Sequence, residues 1–372
     1  MEKEKCLRAS FAIAFTIFLT ACTTLRLAEP LLSEQVTLSL PDIKYDAGSG
    51  ENYTDIDVLI YNVAGLPWPI RKNRTHAMTL IGDALLKARH EGEEPDIILI
   101  QEGFRRGTRR LLENSGYPNW VRGPETHDWA PKFSSRATPQ FIKERRMLKG
   151  EKIRKIMNSG LYVLSNFPIR KKVTAPFYSG ECAGFDCGSN KGVLWAEIEV
   201  PGMPGYLQIF TTHMQSREAA GVSFARSLTA YSLQFDAMDE FIETVWTEEH
   251  PMIFGGDFNA KNAKKRMDYL SDSSARKPTK RTKLVKLTQH FCVTNPNICK
   301  ANLASDGNAP WLDTQDWQGF SSGTQVKVTP IRIIDIENLI VEDAPEIKGK
   351  RTLSDHGAVW VRYRLSWRAS FQ

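Results

Sequence analysis

The sequence predicts an α/β protein in which two β-sheets pack together with helices outside. Three observations predict it. Short runs rich in β-branched residues recur that are mostly apolar through and not alternating, as strands buried on both faces are. Amphipathic helical stretches lie between them, and no linker divides the body of the chain, so strands and helices alternate within one domain.

The first element is not part of that body. Lys3, Lys5 and Arg8 precede the apolar run ASFAIAFTIFLT, which is too short for a comfortable spanning helix and has the shape of an export signal. It ends in Leu19-Thr20-Ala21-Cys22, which resembles the bacterial lipobox, so residues 1–21 are expected to be a lipoprotein signal peptide and Cys22 the lipidated first residue. Thr23, not Asp, follows Cys22, which resembles the sorting pattern for the outer membrane; the expected location is membrane-anchored, either periplasmic or at the outer membrane or cell surface. Residues 22–54, with Pro30, Pro41 and the Gly-Ser-Gly at 48–50, read as a tether, leaving 55–372 as the folded domain.

Within that domain the predicted strands are residues 55–63, 95–102, 159–165, 192–200, 206–213, 251–259, 332–341 and 357–365. The clearest helix spans 217–246, where Phe224, Leu228, Tyr231, Phe235, Met238, Ile242 and Val245 share one face; a second spans 74–90 with Met78, Ile81 and Leu85. Residues 130–157 carry many Lys and Arg side chains and read as a basic, partly helical insertion, either a solvated face or a patch for phosphates or anionic headgroups.

Composition adds bounds. The chain has 372 residues, 41% hydrophobic and 25% charged, enough for a large core, and its net charge of +6 is only a weak pointer to anionic partners. There is no internal repeat, low-complexity tract or transmembrane stretch in the body. Cys6 leaves with the signal, so Cys182, Cys187, Cys292 and Cys299 remain. Export to an oxidising compartment favours two short-loop disulfides, with three connectivities open. A zinc site would need more His or Cys at ligand spacing than stands beside these pairs.

The chemistry collects at strand ends. Asn62, Glu102, His213, Asp257 and Asn259 close predicted strands, and Leu353-Ser354-Asp355-His356 precedes the last one. Carboxylate, amide and imidazole groups at the ends of neighbouring buried strands converge on one rim. Oxygen donors without thiolates suit a hard cation such as Mg²⁺, or another divalent cation, which keeps positions for water and a phosphate oxygen. Two histidines beside it fit phosphoester hydrolysis by an activated water, and no Ser-His-Asp elbow or cysteine nucleophile motif is present.

Asn62 in YNVAGLP, Glu102 in LIQE, His213 in FTTHMQS, GGDFNA at 255–260 and SDHGAV at 354–359 together resemble the endonuclease/exonuclease/phosphatase superfamily, from about residue 55 to the C-terminus. The resemblance implies a deoxyribonuclease-like four-layer sandwich of two mixed β-sheets flanked by helices, and Mg²⁺-dependent phosphoester cleavage by in-line water attack. It implies Glu102 as principal metal ligand with Asn62 beside it, and His356 as general base. Asp335 in IRIIDIENLI resembles the aspartate of the family's Arg-Ile-Asp-Tyr strand that orients this histidine, although Ile336 replaces the tyrosine. Asp257 and Asn259 would position water and phosphate, His213 would stabilise phosphoryl charge, and Asp355 would support or contact the metal.

The stretch ECAGFDCGSNKG at 181–192 is similar to the segment that precedes a strand in secreted bacterial sphingomyelinases, and implies Asn190 and Lys191 as substrate-binding residues. The chain departs from that branch where an aromatic hairpin is usual, since VEDAPEIKGKRTL before Ser354 has no aromatic. Trp311, Trp317 and Phe320 either replace that wedge or tuck onto the core. The resulting expectation is a monomeric, membrane-anchored, sphingomyelinase C-like phosphodiesterase acting on a phospholipid headgroup. The alternatives are a nuclease or soluble-phosphoester phosphatase of the same mechanism, and a non-catalytic binding module.

Overall fold

A computed structural model describes residues 41–67, 69–130, 135–271, 279–301, 309–336, 344–347 and 350–369. The expected signal peptide and Cys22 lie outside these residues. Ser39–Gln372 forms one compact unit.

Fifteen strands are described, β1 to β15: Lys44–Asp46, Glu51–Asn62, Ile97–Gln101, Asn119–Arg122, Tyr162–Ser165, Ile169–Pro176, Gly192–Ile198, Leu207–His213, Met252–Asp257, Lys286–Leu287, Asp316–Ser321, Val326–Ile336, Glu346–Ile347, Lys350–Arg351 and Ala358–Arg368. One sheet has the order β12-β15-β2-β3-β5-β4 with β1 on β2, and the other has the order β10-β11-β9-β8-β7-β6. Each contains one parallel pair, β2 with β3 and β8 with β9, among antiparallel ones, so both sheets are mixed.

The double-sided apolar character of the runs has a direct cause. Val58 and Ile60 of β2 face the second sheet, packing with Leu99, Leu194, Ile209, Ile253 and Val361, while Leu59 and Tyr61 face outward onto Ala77, Met78 and Ile81 of the helix Arg74–Glu91. On the far side Trp195, Phe210 and Phe254 pack against Tyr231, Phe235 and Met238 of the helix Phe224–Val245. Helix, sheet, sheet, helix is therefore the layer order, and the core is the space between the sheets. Gly255 makes that space narrow, because a Cβ there would lie 2.4 Å from Ile60 Cδ1.

All eight predicted strands are present, although residues 337–341 of the seventh lie outside the described residues. Helices are found at 74–91 and 224–245, the latter starting later than expected because Ser223 caps it by accepting a hydrogen bond from the Arg226 N–H. Lys44–Asp46 and Glu51–Thr54, expected to lie in a tether, already belong to the first sheet. The basic insertion is largely irregular, with a short helix at Pro139–Lys143 and a 3₁₀ turn at Met147–Lys149. Trp311, Trp317 and Phe320 are buried, the first and last in the central core and Trp317 beneath the helix Phe224–Val245, so they form no wedge. The disulfides are Cys182–Cys187 and Cys292–Cys299, the two close pairs. Among the described residues no helix is long and apolar enough to cross a membrane.

Candidate active site

The two parallel pairs bring four strand ends to one rim. In register, Asn62 lies beside Gln101, the residue before Glu102, and His213 lies beside Asp257. The antiparallel β11 adds Asp316 directly opposite Asp257. The chain entering β15 is held there by Arg74, whose guanidinium donates to the carbonyls of Ala64, Val63 and Leu353, and by the Ser354 hydroxyl, which donates to the Asn62 carbonyl at 2.6 Å. His356 follows, its N–H donating to Ser354 Oγ at 3.1 Å.

Asp257 is the hub. Its Oδ2 accepts from Asn62 Nδ2 at 2.9 Å and lies 3.4 Å from His213 Nε2 and 3.9 Å from His356 Nε2, while Oδ1 accepts from the Asn259 N–H at 2.9 Å. Burial pushes its carboxyl up to about 6, although the His356 charge acts against the rise. The other ring nitrogen of His356, Nδ1, is bonded to Asp316 Oδ2 at 2.8 Å. Burial alone would lower the His356 pKa, but Asp316 and Asp257 outweigh it and lift it to about 10. His213 goes the other way: burial, and then the positive charges of Lys191 and His356, hold it well below the ordinary imidazole value, so it is neutral. Its Nε2 accepts from Lys191 Nζ at 3.1 Å, and its buried Nδ1 has no hydrogen-bond partner.

Glu102 stands just past β3 with φ of 55°, a left-handed conformation that costs a non-glycine residue about 1–3 kcal/mol. The surroundings enforce it, because Gly65 approaches so closely that a Cβ on it would lie 2.2 Å from the Glu102 carbonyl oxygen. Burial raises the Glu102 pKa against the nearby positive charges of His356 and Lys191, with Asp257 and Asp355 adding to the rise. Among the described residues none donates a hydrogen bond to its carboxylate. A partly buried carboxylate so placed, among oxygen donors and away from any thiol, fits a hard divalent cation. Asp257, Asp316 and His356 also bring ligand atoms within 4.8 Å of one another, but the His356–Asp316 bond makes them a hydrogen-bonded array first.

The structure redistributes several expected roles. Asp316 is the carboxylate on His356 Nδ1, the part expected of Asp335; the Asp335 backbone pairs with Val359 in β12, at the edge of the first sheet, and its side chain lies outside the described residues. The clue in the sequence was the aromatic after the aspartate, Trp317, where Asp335 is followed by Ile336. Asp355 is ion-paired through Oδ2 with Arg71 at 2.5 Å. Asn62 uses Oδ1 to accept from the Ala64 N–H at 2.9 Å and turns Nδ2 to Asp257, so it positions Asp257 and keeps one oxygen lone pair for a cation. Asn190 is buried and donates to the carbonyls of Glu125 and Asp128, which makes it a brace for that turn instead of a substrate contact.

Lys191 does reach the site, but all three of its donors are engaged, by Asp186 Oδ2 at 2.9 Å, the Met214 carbonyl at 2.9 Å and His213. Its charge acts on the site from a fixed position. Asp186, inside the Cys182–Cys187 loop, was not singled out from the sequence; it also accepts from the Ser216 N–H at 2.5 Å and the Ser216 hydroxyl at 2.9 Å. Asn259, at φ of 50°, donates to the Met214 carbonyl at 3.2 Å and so ties the ends of β8 and β9 together.

No family model matches the chain, and no curated protein matches its sequence. Solved structures do match. Staphylococcus aureus beta toxin is 17% identical with a TM-score of 0.54, over 82% of this chain and 99% of that one, and another structure of that toxin carries bound magnesium ions. Sphingomyelinase C from Streptomyces griseocarneus is 18% identical with a TM-score of 0.52, over 83% and 99%. D. rerio TDP2 complexed with a single-strand DNA product is 15% identical with a TM-score of 0.51, over 83% and 98%. The fold of this chain is thus the endonuclease/exonuclease/phosphatase fold, two mixed sheets between helical layers, shared with a beta toxin, a sphingomyelinase C and TDP2.

Proposed function

We propose that the protein is a divalent-metal-dependent phosphodiesterase that hydrolyses a phospholipid headgroup in the manner of a sphingomyelinase C. The observation that carries the hydrolase reading is the Asp316–His356 pair set against Asp257, one strand end from Glu102. Glu102, with the spare lone pair of Asn62, would hold the cation. When bound, Mg²⁺ supplies positive charge against the scissile phosphate and against the carboxylate field on His356.

The chain's own residues do the rest. Asp316 fixes the His356 ring and stabilises the imidazolium formed when Nε2 takes a proton from the attacking water. Asp257, 3.9 Å away, does not tie up Nε2, and Nε2 can take that proton once the cation has offset the carboxylate field that otherwise keeps the ring protonated. Asn62 and Asn259 hold Asp257, which orients that water. Lys191, held against His213, places a fixed positive charge near the developing phosphoryl charge.

The headgroup reading is supported by the ECAGFDCGSNKG segment, whose lysine reaches His213, and by the likeness to a sphingomyelinase C. An exported, Cys22-lipidated chain is part of the same reading and is supported by the two disulfides, which persist in oxidising compartments.

The test offers residues 39–372 sphingomyelin dispersed in detergent, single-stranded DNA and supercoiled plasmid, with Mg²⁺ or with EDTA, beside a His356→Ala control. Phosphocholine release that disappears in both controls is expected. DNA cleavage without phosphocholine release would replace the substrate with a nucleic acid, and inactivity on all three would count against the hydrolase itself.

A further inference from the structure

The basic stretch between residues 143 and 155 holds seven Lys or Arg against two Glu, and its apolar side chains are not in the core. Leu148 is 94% exposed and Met147 65%, both in the 3₁₀ turn that the Gly150 N–H closes onto the Met147 carbonyl. Trp129, 90% exposed, and Phe185, 57% exposed, stand on neighbouring segments. Large apolar groups held in water need an explanation when they cluster.

They cluster around one loop. A Cβ on Gly150 would lie 3.2 Å from the Phe185 ring, and the Ile156 N–H and Lys155 Nζ donate to the carbonyls of Gly188 and Ser189 at 2.8 and 2.9 Å. Trp129 follows Asp128, whose carbonyl receives Asn190 Nδ2 at 3.0 Å. This is the loop that carries Asp186 and delivers Lys191 to His213, so the apolar groups stand on segments packed against a loop that supplies the site. Arg146, Lys152 and Arg154 are exposed among them, and none makes an ion pair among the described residues.

We propose that this surface, Leu148, Met147, Trp129 and Phe185 with Arg146, Lys152 and Arg154, docks the protein on an anionic phospholipid bilayer. The inference rests on the phospholipid-headgroup reading above and names the surface that would bring that site to its substrate. Apolar side chains that enter the headgroup layer, flanked by unpaired cations that meet anionic lipids, are the pattern of interfacial binding. A nucleic acid would use the cations but not the projecting Leu148 and Met147.

The test measures sedimentation of residues 39–372 carrying His356→Ala with phosphatidylcholine vesicles, with and without phosphatidylserine, and binding to duplex DNA in parallel. Leu148→Ser with Trp129→Ala is expected to weaken binding to both vesicle types at least about tenfold. Lys152→Glu with Arg154→Glu is expected to remove the preference for phosphatidylserine, roughly fivefold for each cation lost. None of the four residues touches the site, so in an otherwise intact chain these variants keep the wild-type rate on a water-soluble phosphodiester, which also shows that they fold. Absence of vesicle binding, binding unchanged in both variants, or loss of duplex binding in place of vesicle binding would each overturn the proposal. Because the binding measurement involves no turnover, vesicle binding by a chain inactive on every phosphoester would count against the proposed function and not against the surface.

Discussion

Asp316 and His356 set the acid–base chemistry. The carboxylate raises the imidazole pKa, so removing its charge lowers it, and neutral imidazole, the form that accepts a proton, then persists to lower pH. Asp316→Asn is therefore predicted to move the acid limb of the pH–rate profile to lower pH while reducing kcat by roughly 10²–10⁴-fold, the usual share of a positioned acid–base group. A profile that stays in place would remove Asp316 from this role. The same shift has a consequence for stability. A histidine whose folded pKa exceeds its unfolded one contributes stability that is full below the unfolded value near 6.5 and is lost as pH rises through about 10. In EDTA, the melting temperature of wild type relative to His356→Ala should accordingly fall over that interval. Asp335→Asn, by contrast, should leave the acid limb unmoved, because the Nδ1 partner is Asp316.

At the scale of elements, the Cys182–Cys187 loop and the helix Phe224–Val245 support the site in different ways. The disulfide closes a loop five residues long in separation, for which chain entropy gives about 2 kcal/mol. Its larger effect is on position, since Asp186 inside the loop holds Lys191 against His213. Replacing both cysteines by serine should lower the melting temperature modestly and reduce kcat more than KM. A kcat that is unchanged would make the loop a structural staple only. Phe235, fully buried between Phe258 and Tyr231, tests packing by itself: Phe235→Ala should cost about 3–5 kcal/mol in denaturant unfolding. If the variant still folds, its rate per folded molecule should be near wild type.

Across the whole molecule, what was legible in the sequence follows from how each strand is buried. Strands with apolar side chains on both faces, β2, β3, β5, β7, β8 and β9, announce themselves by composition, while β12 and β15 alternate apolar with polar or charged residues; the strand ends and the turn into β15 supplied Asn62, Glu102, His213, Asp257 and His356. The edge strands β4 and β6 are half-exposed and mix Lys and Arg with apolar residues, so no run marks them. β11, DWQGFS, is fully buried yet reads as polar. Gln318 is satisfied there only by partners far away in the chain, its amide donating to the carbonyls of Val58 and Val359. Asp316 opens that same polar-looking strand, whereas IRIIDIENLI, which begins in β12, carries the likeness to Arg-Ile-Asp-Tyr that points to Asp335 instead. Roles set by side-chain direction were equally hidden: nothing in Asn190 or Asp355 as residues announces that one braces a turn and the other pairs with Arg71.

In the proposed reaction a divalent cation at Glu102 and a base at His356 act together on a phosphodiester. The most direct measurement is the restoration of phosphodiester hydrolysis by Mg²⁺ after EDTA treatment, for wild type, Glu102→Gln and His356→Ala. Wild type should recover fully. Glu102→Gln should need a far higher Mg²⁺ concentration, and His356→Ala should bind Mg²⁺ but stay at least about 10²-fold slower at saturation. Activity that survives EDTA, or a Glu102→Gln chain with an unaltered Mg²⁺ requirement, would contradict the account.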